Sequence, residues 1–169
     1  MKALIVCGSG NTTGNTYRMC QVFEAIFQQS DWDVRVADLT EYNILDYVGE
    51  KEYDDEMEQF YSEMETTDLL VFATPIRFNG CSSILKRFID RLNPYWNASR
   101  PHPASACGLL CGGSPECEFS HARSEMVSAS NTVGMKWLGA LCIPGTDKEE
   151  MDDSKVAKFA LDLLGFIER

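Results

Sequence analysis

The sequence predicts a doubly wound α/β fold, in which helices cover both faces of one parallel sheet. Five apolar runs alternate with helical segments at intervals of about thirty residues, as βαβ units joined by right-handed crossovers require. The runs are continuously apolar, which is typical of strands buried on both faces. The chain has 169 residues, 44% of them hydrophobic, which suffices for one buried core and is small for two. We therefore expect a single domain over residues 1–169.

The first half of the chain is predicted to form three strands and two helices. The helix over residues 16–28 repeats apolar side chains at three- and four-residue spacing, and the helix over 54–65 has Asp54 or Asp55 as its N-terminal cap. Residues 39–51 have no sustained period, which indicates a loop with room for one helical turn. The strands are the apolar runs at residues 3–6, 34–38 and 69–73.

The second half is predicted to add two strands and three helices. A regular apolar stripe indicates a helix over residues 84–92, which Asn93-Pro94 ends. Prolines and aromatic residues indicate a loop at 95–103. The remaining elements are strands at 104–111 and 135–143 and helices at 116–131 and 156–167.

Turns rich in glycine, proline or hydrogen-bond donors follow the first, third and fourth predicted strands. The third strand stops at Thr74-Pro75, because proline cannot donate to a ladder and directs the chain out of the sheet. The fourth strand stops at Gly112-Gly113. Ligands of doubly wound sheets bind outside the carboxyl ends of the strands. We therefore expect these three turns to line one crevice.

The turn after the first strand, residues 7–16, is expected to bind a phosphate. It leads into a helix, whose first N–H groups lack partners and carry the positive end of the helix dipole. A P-loop is excluded because no lysine lies between Lys2 and Lys51, and a dinucleotide-binding domain is disfavoured because Thr13 replaces the third glycine. Hydroxyl and amide donors alternate with glycines in this turn: Gly8, Ser9, Gly10, Asn11, Thr12, Thr13, Gly14, Asn15 and Thr16.

Charge and composition exclude several classes of partner. The net charge of −11 argues against a nucleic acid, since phosphate contacts require a basic patch. Acidic residues concentrate at 46–65, which indicates a solvated surface or a docking surface for a basic partner. No secretion signal or bilayer-spanning apolar stretch is found, so we expect a cytoplasmic protein with no membrane partner. The seven cysteines include no C-x-x-C pair, so neither a disulfide nor a metal site is expected.

Several segments give the chain a resemblance to a known family. Residues 11–16, NTTGNT, resemble the flavodoxin phosphate motif, with asparagine at the first position. Residues 74–80, TPIRFNG, followed by LKRFIDR at 85–91, are similar to the corresponding segment of the NAD(P)H-dependent FMN reductase and iron–sulfur flavoprotein family. The likeness runs almost end to end, and it includes Asp54-Asp55, Gly112-Gly113 and Gly134-Met135.

The resemblance implies a flavodoxin-like sheet of order 2-1-3-4-5 and an enzyme that binds FMN. Such an enzyme takes electrons from NAD(P)H and reduces flavin, a quinone or another small-molecule acceptor. The family often pairs subunits so that one covers the flavin of the other, which implies a homodimer. The implied cofactor-binding residues are Ser9, Asn11, Thr13, Gly14, Asn15, Thr16, Pro75, Ile76, Arg77, Phe78, Asn79, Gly80, Gly112 and Gly113.

The sequence departs from this family in two respects. Residues 42–55 contain no cysteine, so we expect no iron–sulfur cluster. Arg77 stands where the family has an aromatic residue. A guanidinium near N1 and O2 of FMN stabilises the negative charge that the ring gains on reduction. Arg77 is therefore the candidate for flavin tuning, the alternative being an exposed arginine on the rim of the turn. No residue is predicted to be catalytic with certainty.

Two other functions remain open at this stage. One is a flavodoxin-like electron carrier with a redox protein as partner, which the acidic residues 46–65 favour. The other is a binding module without flavin. Lys86 and Asp90 are expected to form a structural ion pair on one helix, and Cys7 and Cys81 are expected to be buried and inert although each lies near a helix start.

Overall fold

The computed structural model describes residues 1–167, and in them five parallel strands form one sheet. Its spatial order is 2-1-3-4-5, as predicted. Every neighbouring pair is parallel, with Ile5 opposite Val36 on one side and Val71 on the other. The strands are β1 (Lys2–Cys7), β2 (Asp33–Asp38), β3 (Leu69–Pro75), β4 (Ser105–Cys111) and β5 (Lys136–Ile143).

Helices cover both faces of this sheet and connect its strands. The first of them is amphipathic and buries Met19, Phe23 and Phe27 against the sheet. A short 3₁₀ turn at Leu39–Glu41 follows β2 within the segment expected to be a loop with one helical turn. The helices are α1 (Asn15–Gln28), α2 (Met57–Met64), α3 (Ser83–Asp90), α4 (Pro94–Asn97), α5 (Ser120–Val133) and α6 (Asp153–Ile167).

Two apolar cores hold the layers together, one on each face of the sheet. Helices α1 and α6 pack on one face, where the rings of Phe23 and Phe27 stack at a centroid distance of 4.4 Å. Helices α2, α3 and α5 pack on the other, where Phe60 meets Phe88 edge to face at 5.3 Å. Because both faces are covered, the central strands carry apolar residues at most positions on both faces. This is the physical reason that their continuous apolar runs could be identified in the sequence.

Three predicted boundaries are wrong, each for a local reason. Strand β3 includes Pro75, because the peptide nitrogens of β3 alternate between its neighbours and Pro75 is directed toward β1, which has already ended opposite Ala73. The predicted loop at 95–103 begins inside helix α4, with Pro94 in its first turn, where a missing N–H costs nothing. Helix α5 begins at Ser120 rather than at residue 116, because the preceding residues form turns.

The segment between β2 and α2, residues 42–56, is fastened by Asp55. One oxygen of this carboxylate accepts a hydrogen bond from the Met57 N–H at 3.1 Å at the start of α2, and the other accepts from the Leu45 N–H at 2.9 Å. Asp55 also forms a buried ion pair with Arg91. Helix α2 thus begins at Met57 with Glu56 at its N-cap, so the predicted cap at Asp54 or Asp55 is wrong in position, although Asp55 does accept from the first N–H of the helix. Within the described chain, helices are too short or too polar to cross a bilayer.

Candidate functional site

The carboxyl ends of the strands bring four turns together at one edge of the sheet. They follow β1, β3, β4 and β5, and three of them are the turns that the sequence predicted to line a crevice. The fourth, residues 144–148 after β5, was not predicted as part of the site. Hydrogen bonds between backbones join these turns, including Gly8 N–H to Ala73 O at 2.8 Å and Gly112 N–H to Ile143 O at 2.9 Å.

The turn after β1 folds around its own side chains and leaves the start of α1 open. Asn11 Oδ1 accepts hydrogen bonds from the backbone N–H and the hydroxyl of Thr13, at 3.0 and 2.8 Å. The Ser9 hydroxyl donates to the carbonyl oxygen of Asn11 at 3.1 Å. Gly14 occupies the N-cap position of α1 without a side-chain hydrogen bond, and the first turn of the helix carries no acidic residue. The dipole of α1 is therefore available to an anion.

Gly8 lies where the turn after β1 touches the start of α3. A Cβ placed on Gly8 would lie 2.6 Å from Leu85 Cβ and 2.7 Å from Ser82 Oγ, so only glycine fits there. The Ser82 hydroxyl donates to the carbonyl oxygen of Gly8 at 2.7 Å and accepts from the Leu85 N–H at 3.1 Å. The Ser82 N–H in turn donates to the Thr74 hydroxyl at 2.9 Å. Ser82 thereby fixes the turn after β3 against the turn after β1.

The turn after β3 projects an aromatic ring into solvent. Arg77 and Gly80 exchange backbone hydrogen bonds at 3.0 Å in both directions, which closes a two-residue hairpin. Its tip, Phe78 and Asn79, has φ angles of 49° and 66°, as a type I′ turn requires. Positive φ is costly for an aromatic residue. The side chain of Phe78 is nevertheless fully exposed, with a relative accessibility of 105%.

Helix α5 supports this hairpin from behind. The Ala122 N–H donates to the carbonyl oxygen of Asn79 at 3.2 Å, and Glu125 accepts from the Cys81 N–H at 3.1 Å. Arg77 is exposed, and its guanidinium reaches the carbonyl oxygen of Ile76 at 3.4 Å. Arg77 therefore lies exposed on the rim of the turn.

Gly112 and Gly113 are covered by side chains from later in the chain. A Cβ on Gly112 would lie 2.3 Å from Cys117 Sγ, and a Cβ on Gly113 would lie 2.1 Å from Asp147 Oδ2. Thr146 donates to the carbonyl oxygen of Gly112 through both its N–H and its hydroxyl, each at 3.1 Å. Asp147 and Thr146 are thus site residues that the prediction missed. The Pro144-Gly145 break after β5, like those after β3 and β4, was the signal that could have found them.

Thr146 also contacts the first residue of α1, directly after the turn that follows β1. The side-chain amide of Asn15 donates to the carbonyl oxygen of Thr146 at 3.2 Å, and the Cys111 thiol lies 3.2 Å from the Thr146 hydroxyl. Burial raises the pKa of Cys111 above its ordinary value, while hydrogen bonds with Thr146 and Thr16 oppose that rise. The side chain of Thr16 is buried at this junction. Hydrogen bonds therefore join the turn after β1 and the Gly112–Gly113 turn into one unit.

Predictions for other reactive side chains are confirmed in part. Cys7 and Cys81 are buried, but a hydrogen bond with Cys20 lowers the pKa of the Cys7 thiol, so inertness is supported only for Cys81. Burial, followed by the neighbouring Glu125 carboxylate, raises the pKa of the Cys81 thiol far above its ordinary value, which leaves it protonated and inert. Lys86 and Asp90 form the expected ion pair, with nitrogen and oxygen 2.5 Å apart.

A separate hollow of about 610 Å³ lies between the 42–56 segment and the end of α3. Its cationic groups are already engaged, because the Arg91 guanidinium stacks on Tyr53 at 3.7 Å and that of Arg100 lies 4.6 Å from the centre of the Tyr61 ring. None of the four turns contributes to its walls. The candidate site is therefore the open crevice at the strand ends.

The residues of this crevice fit FMN. A phosphate monoester is matched by the uncapped start of α1, where hydroxyl and amide groups surround free backbone donors. A flat ring system is matched by the approach of two backbone walls, the Pro75–Gly80 turn and the Gly112–Gly113 turn. Among residues 1–167, no cluster of three or more histidine, cysteine, aspartate or glutamate side chains is placed to hold a metal ion.

Comparisons with known proteins agree with this arrangement. The profile of the family described as NADPH-dependent FMN reductase matches residues 1–145. An FMN-dependent NADPH-azoreductase of Staphylococcus saprophyticus is 30% identical over 159 residues, which cover 90% of this chain and 82% of that protein. The Staphylococcus aureus protein of the same name is 29% identical over 107 residues, 60% of this chain and 57% of its own length.

Solved structures share the fold at low identity. An azoreductase from Bacillus anthracis str. Sterne has a TM-score of 0.68 and 16% identity, with 99% of this chain and 98% of that chain covered. An NADH:FMN oxidoreductase in its apo form has a TM-score of 0.71 and 19% identity, with 96% and 87% covered. These likenesses bear on the fold, whereas the profile match over residues 1–145 bears on the family. The chain is therefore a member of the NADPH-dependent FMN reductase family, which makes it a flavin-dependent oxidoreductase.

Proposed function

We propose that this oxidoreductase binds FMN at the carboxyl edge of its sheet and passes electrons from NAD(P)H to a small-molecule acceptor. The observation that carries the proposal is the open start of α1 at the edge of the crevice, because it offers a phosphate its donors and a positive dipole. We further propose that the chain folds as one domain, with the crevice as its active site.

The phosphate of FMN is assigned to the turn after β1 and the first turn of α1. The N–H groups of Asn15 and Thr16 and the Thr16 hydroxyl are the proposed donors, and Gly14 lets the anion approach the helix axis. Ser9, Asn11 and Thr13 have a different role, since their side chains bond within the turn and hold its shape. Asn15 adds the link to Thr146.

The isoalloxazine is assigned to the space between the remaining walls. Pro75 and Ile76 form its floor, Arg77 to Gly80 its rim, and Gly112 and Gly113 its far edge. When bound, FMN supplies the hydride and electron chemistry, and its pyrimidine ring gains negative charge on reduction. The protein then has to bind the two ring systems face to face, exclude water from one face, and adjust the charge around the ring. Arg77 is the proposed cationic group for that adjustment.

Azo compounds are the first class of acceptor to test, followed by quinones and free flavin. The Staphylococcus saprophyticus relative is named an FMN-dependent NADPH-azoreductase, and its similarity covers 90% of this chain. The open crevice suits flat aromatic acceptors, because Phe78 extends an exposed ring at its rim. NADPH is the expected donor, with NADH as the comparison.

We also propose a homodimer in the cytoplasm. The exposed aromatic side chains include Phe78 at the crevice and Trp96 beside the groove between α3 and α5, where Trp96 has a relative accessibility of 72%. The groove carries Lys86 and Asp90, so a second copy offers matching charges. Sedimentation of wild type and of Trp96→Asp tests the dimer, which the substitution is expected to dissociate. All seven cysteines are free thiols, as the reducing cytoplasm favours.

An electron carrier that works with a redox protein is the second candidate, and the acidic residues 46–65 are its basis. Four of the nine acidic residues in this stretch are paired with arginines of the same chain. That pairing leaves less free charge for a basic partner. We therefore prefer the enzyme to the electron carrier as the proposed function.

Reconstitution with FMN tests the function directly. The purified protein is scanned for flavin absorbance near about 370 and 450 nm, and its oxidation of NADPH and NADH is then followed with an azo dye, a quinone or free FMN as acceptor. We expect steady turnover with at least one acceptor. Bound flavin without turnover, unless a reductase is added, would favour the carrier, and failure to bind FMN would exclude both functions.

A further inference from the structure

The turn after β5 forms a fourth wall of the crevice, and its residues 146–148 lie outside both the family motifs and the profile match, which ends at residue 145. Its backbone is bonded at three points to the turn after β4: Gly145 N–H to Ser114 O at 3.0 Å, Thr146 N–H to Gly112 O at 3.1 Å and Asp147 N–H to Gly113 O at 3.2 Å. These bonds link three consecutive residues of one turn to three of the other, so the position of Asp147 is fixed relative to Gly113.

The carboxylate of Asp147 takes the place of a side chain on Gly113. All three heavy atoms of its carboxyl group lie within 2.9 Å of the point where a Cβ of Gly113 would be, with Oδ2 at 2.1 Å. A flat ligand edge that approaches Gly113 therefore meets the carboxylate as well as the backbone. Asp147 is exposed, and within the described residues its carboxylate forms no ion pair, whereas nearby Glu150 and Asp153 both pair with Arg18.

Arg77 and Asp147 place opposite charges near the end of β4. The Cys111 thiol lies at that end, and both charges affect its pKa. Beyond the rise caused by burial, the Asp147 charge raises the pKa of Cys111 and the Arg77 charge lowers it. Both charges therefore reach the carboxyl end of β4, directly before Gly112 and Gly113, and they act there in opposite directions.

We infer that Asp147 is a positioning and specificity residue for the redox step, which keeps the bound FMN a stronger reductant than Arg77 alone would leave it. The inference rests on the proposed function. A fixed carboxylate at the ring edge disfavours the negative charge that accompanies reduction, so it weakens the binding of reduced FMN relative to oxidised FMN. Thr146 holds the carboxylate in place through its bonds to Gly112 and its contact with Asn15.

The test compares Asp147→Asn with a control that loses the same charge nearby. Glu149 is exposed and lies two residues further along the turn, so Glu149→Gln is that control. The measurement is the midpoint potential of bound FMN in each holoprotein, together with the Kd for oxidised FMN. Asp147→Asn is expected to strengthen the binding of reduced relative to oxidised FMN about tenfold, which raises the two-electron potential by about 30 mV. Asp147→Glu is expected to stay near wild type.

Three results would overturn the inference. They are an unchanged potential in Asp147→Asn, an equal shift in Glu149→Gln, or an equal loss of affinity for both redox forms, which would mean that the carboxylate only shapes the turn. Circular dichroism establishes that each variant is folded, and Asp147→Ser repeats the test if Asp147→Asn is not. Failure of wild-type protein to bind FMN would instead contradict the proposed function, so the two failures are distinguishable.

Discussion

Ser82 Oγ donates a hydrogen bond to the carbonyl oxygen of Gly8 at 2.7 Å, and this bond joins two walls of the crevice. The contact is so close that a Cβ on Gly8 would lie 2.9 Å from the backbone nitrogen of Leu85. Neither α3 nor the turn after β1 can move to make room for a side chain without breaking this contact.

Gly8→Ala is accordingly expected to lower the free energy of unfolding by about 1–3 kcal/mol, because the added methyl overpacks a rigid contact. Gly10→Ala is the matched control, since a Cβ there would lie 3.7 Å from Ile84 Cδ1, an ordinary van der Waals distance. Its expected effect is within about 0.5 kcal/mol. Urea unfolding followed by circular dichroism measures both. Equal effects in the two variants would show that the junction is looser than described.

Replacement of both Asn15 and Thr16 by alanine is expected to weaken FMN binding by on the order of 1–4 kcal/mol, the value of one to three hydrogen bonds to an anion. Riboflavin lacks the phosphate and serves as the control ligand, so its affinity should change little. Fluorescence titration gives both dissociation constants. If the double variant kept full affinity for FMN, the phosphate would have to bind elsewhere.

Arg77→Ala is expected to lower the midpoint potential of bound FMN and to slow its reduction by NAD(P)H, because a cation is removed from the rim of the ring site. Arg77→Lys keeps the charge and should retain most of both properties. Spectroelectrochemistry and stopped-flow absorbance provide the two readouts. Unchanged potential and rate in Arg77→Ala would reduce Arg77 to a solvent-exposed residue with no role in tuning.

Asp55→Asn is expected to cost about 3–5 kcal/mol of stability, since it leaves the buried guanidinium of Arg91 unpaired. Asp46→Asn breaks the exposed ion pair with Arg87 and should cost about 1 kcal/mol or less. Chemical unfolding at neutral pH compares the two. Similar losses would mean that burial does not distinguish these ion pairs.

The pKa of Asp55 predicts that the free energy of unfolding depends on pH. Burial opposes ionisation of Asp55, but hydrogen bonds from Arg91 and from the N–H groups of Leu45 and Met57 bring its pKa below the ordinary value of 3.8. A lowered folded-state pKa contributes stability that is complete above the unfolded pKa and is lost as the pH falls through the folded one. Wild type should therefore lose unfolding free energy below about pH 4 more steeply than Asp55→Asn. Parallel pH profiles would contradict this assignment.

The sequence was sufficient to predict the five strands, because strands covered by helices carry an unbroken apolar signal, whereas their order followed from the family resemblance. It was also sufficient for α3, whose stripe from Leu85 to Phe88 faces the core. Local turns were harder. The helix at Pro94 and the late start of α5 at Ser120 depend on how tertiary contacts divide short polar stretches, which periodicity does not record.

For the site, glycines and hydroxyl residues were predictable because they are adjacent in the chain. The link between Asn15 and Thr146 spans 131 positions, and no local pattern reveals it. The side chains that cover Gly112 and Gly113 were missed for the same reason, since a glycine indicates close approach without indicating what approaches. Residues that were expected to bind FMN, such as Asn11 and Thr13, were found to bond each other.

The left-handed conformation of Phe78 has a consequence for any effort to engineer this protein. Its ring touches almost nothing of its own subunit, so replacement by glycine removes strain without loss of packing and is expected to make the isolated chain about 1 kcal/mol more stable. A laboratory selection for heat resistance would therefore favour loss of Phe78, whereas a selection for turnover with aromatic acceptors would retain it. At the hairpin tip, stability of the chain and turnover with aromatic acceptors therefore favour different residues.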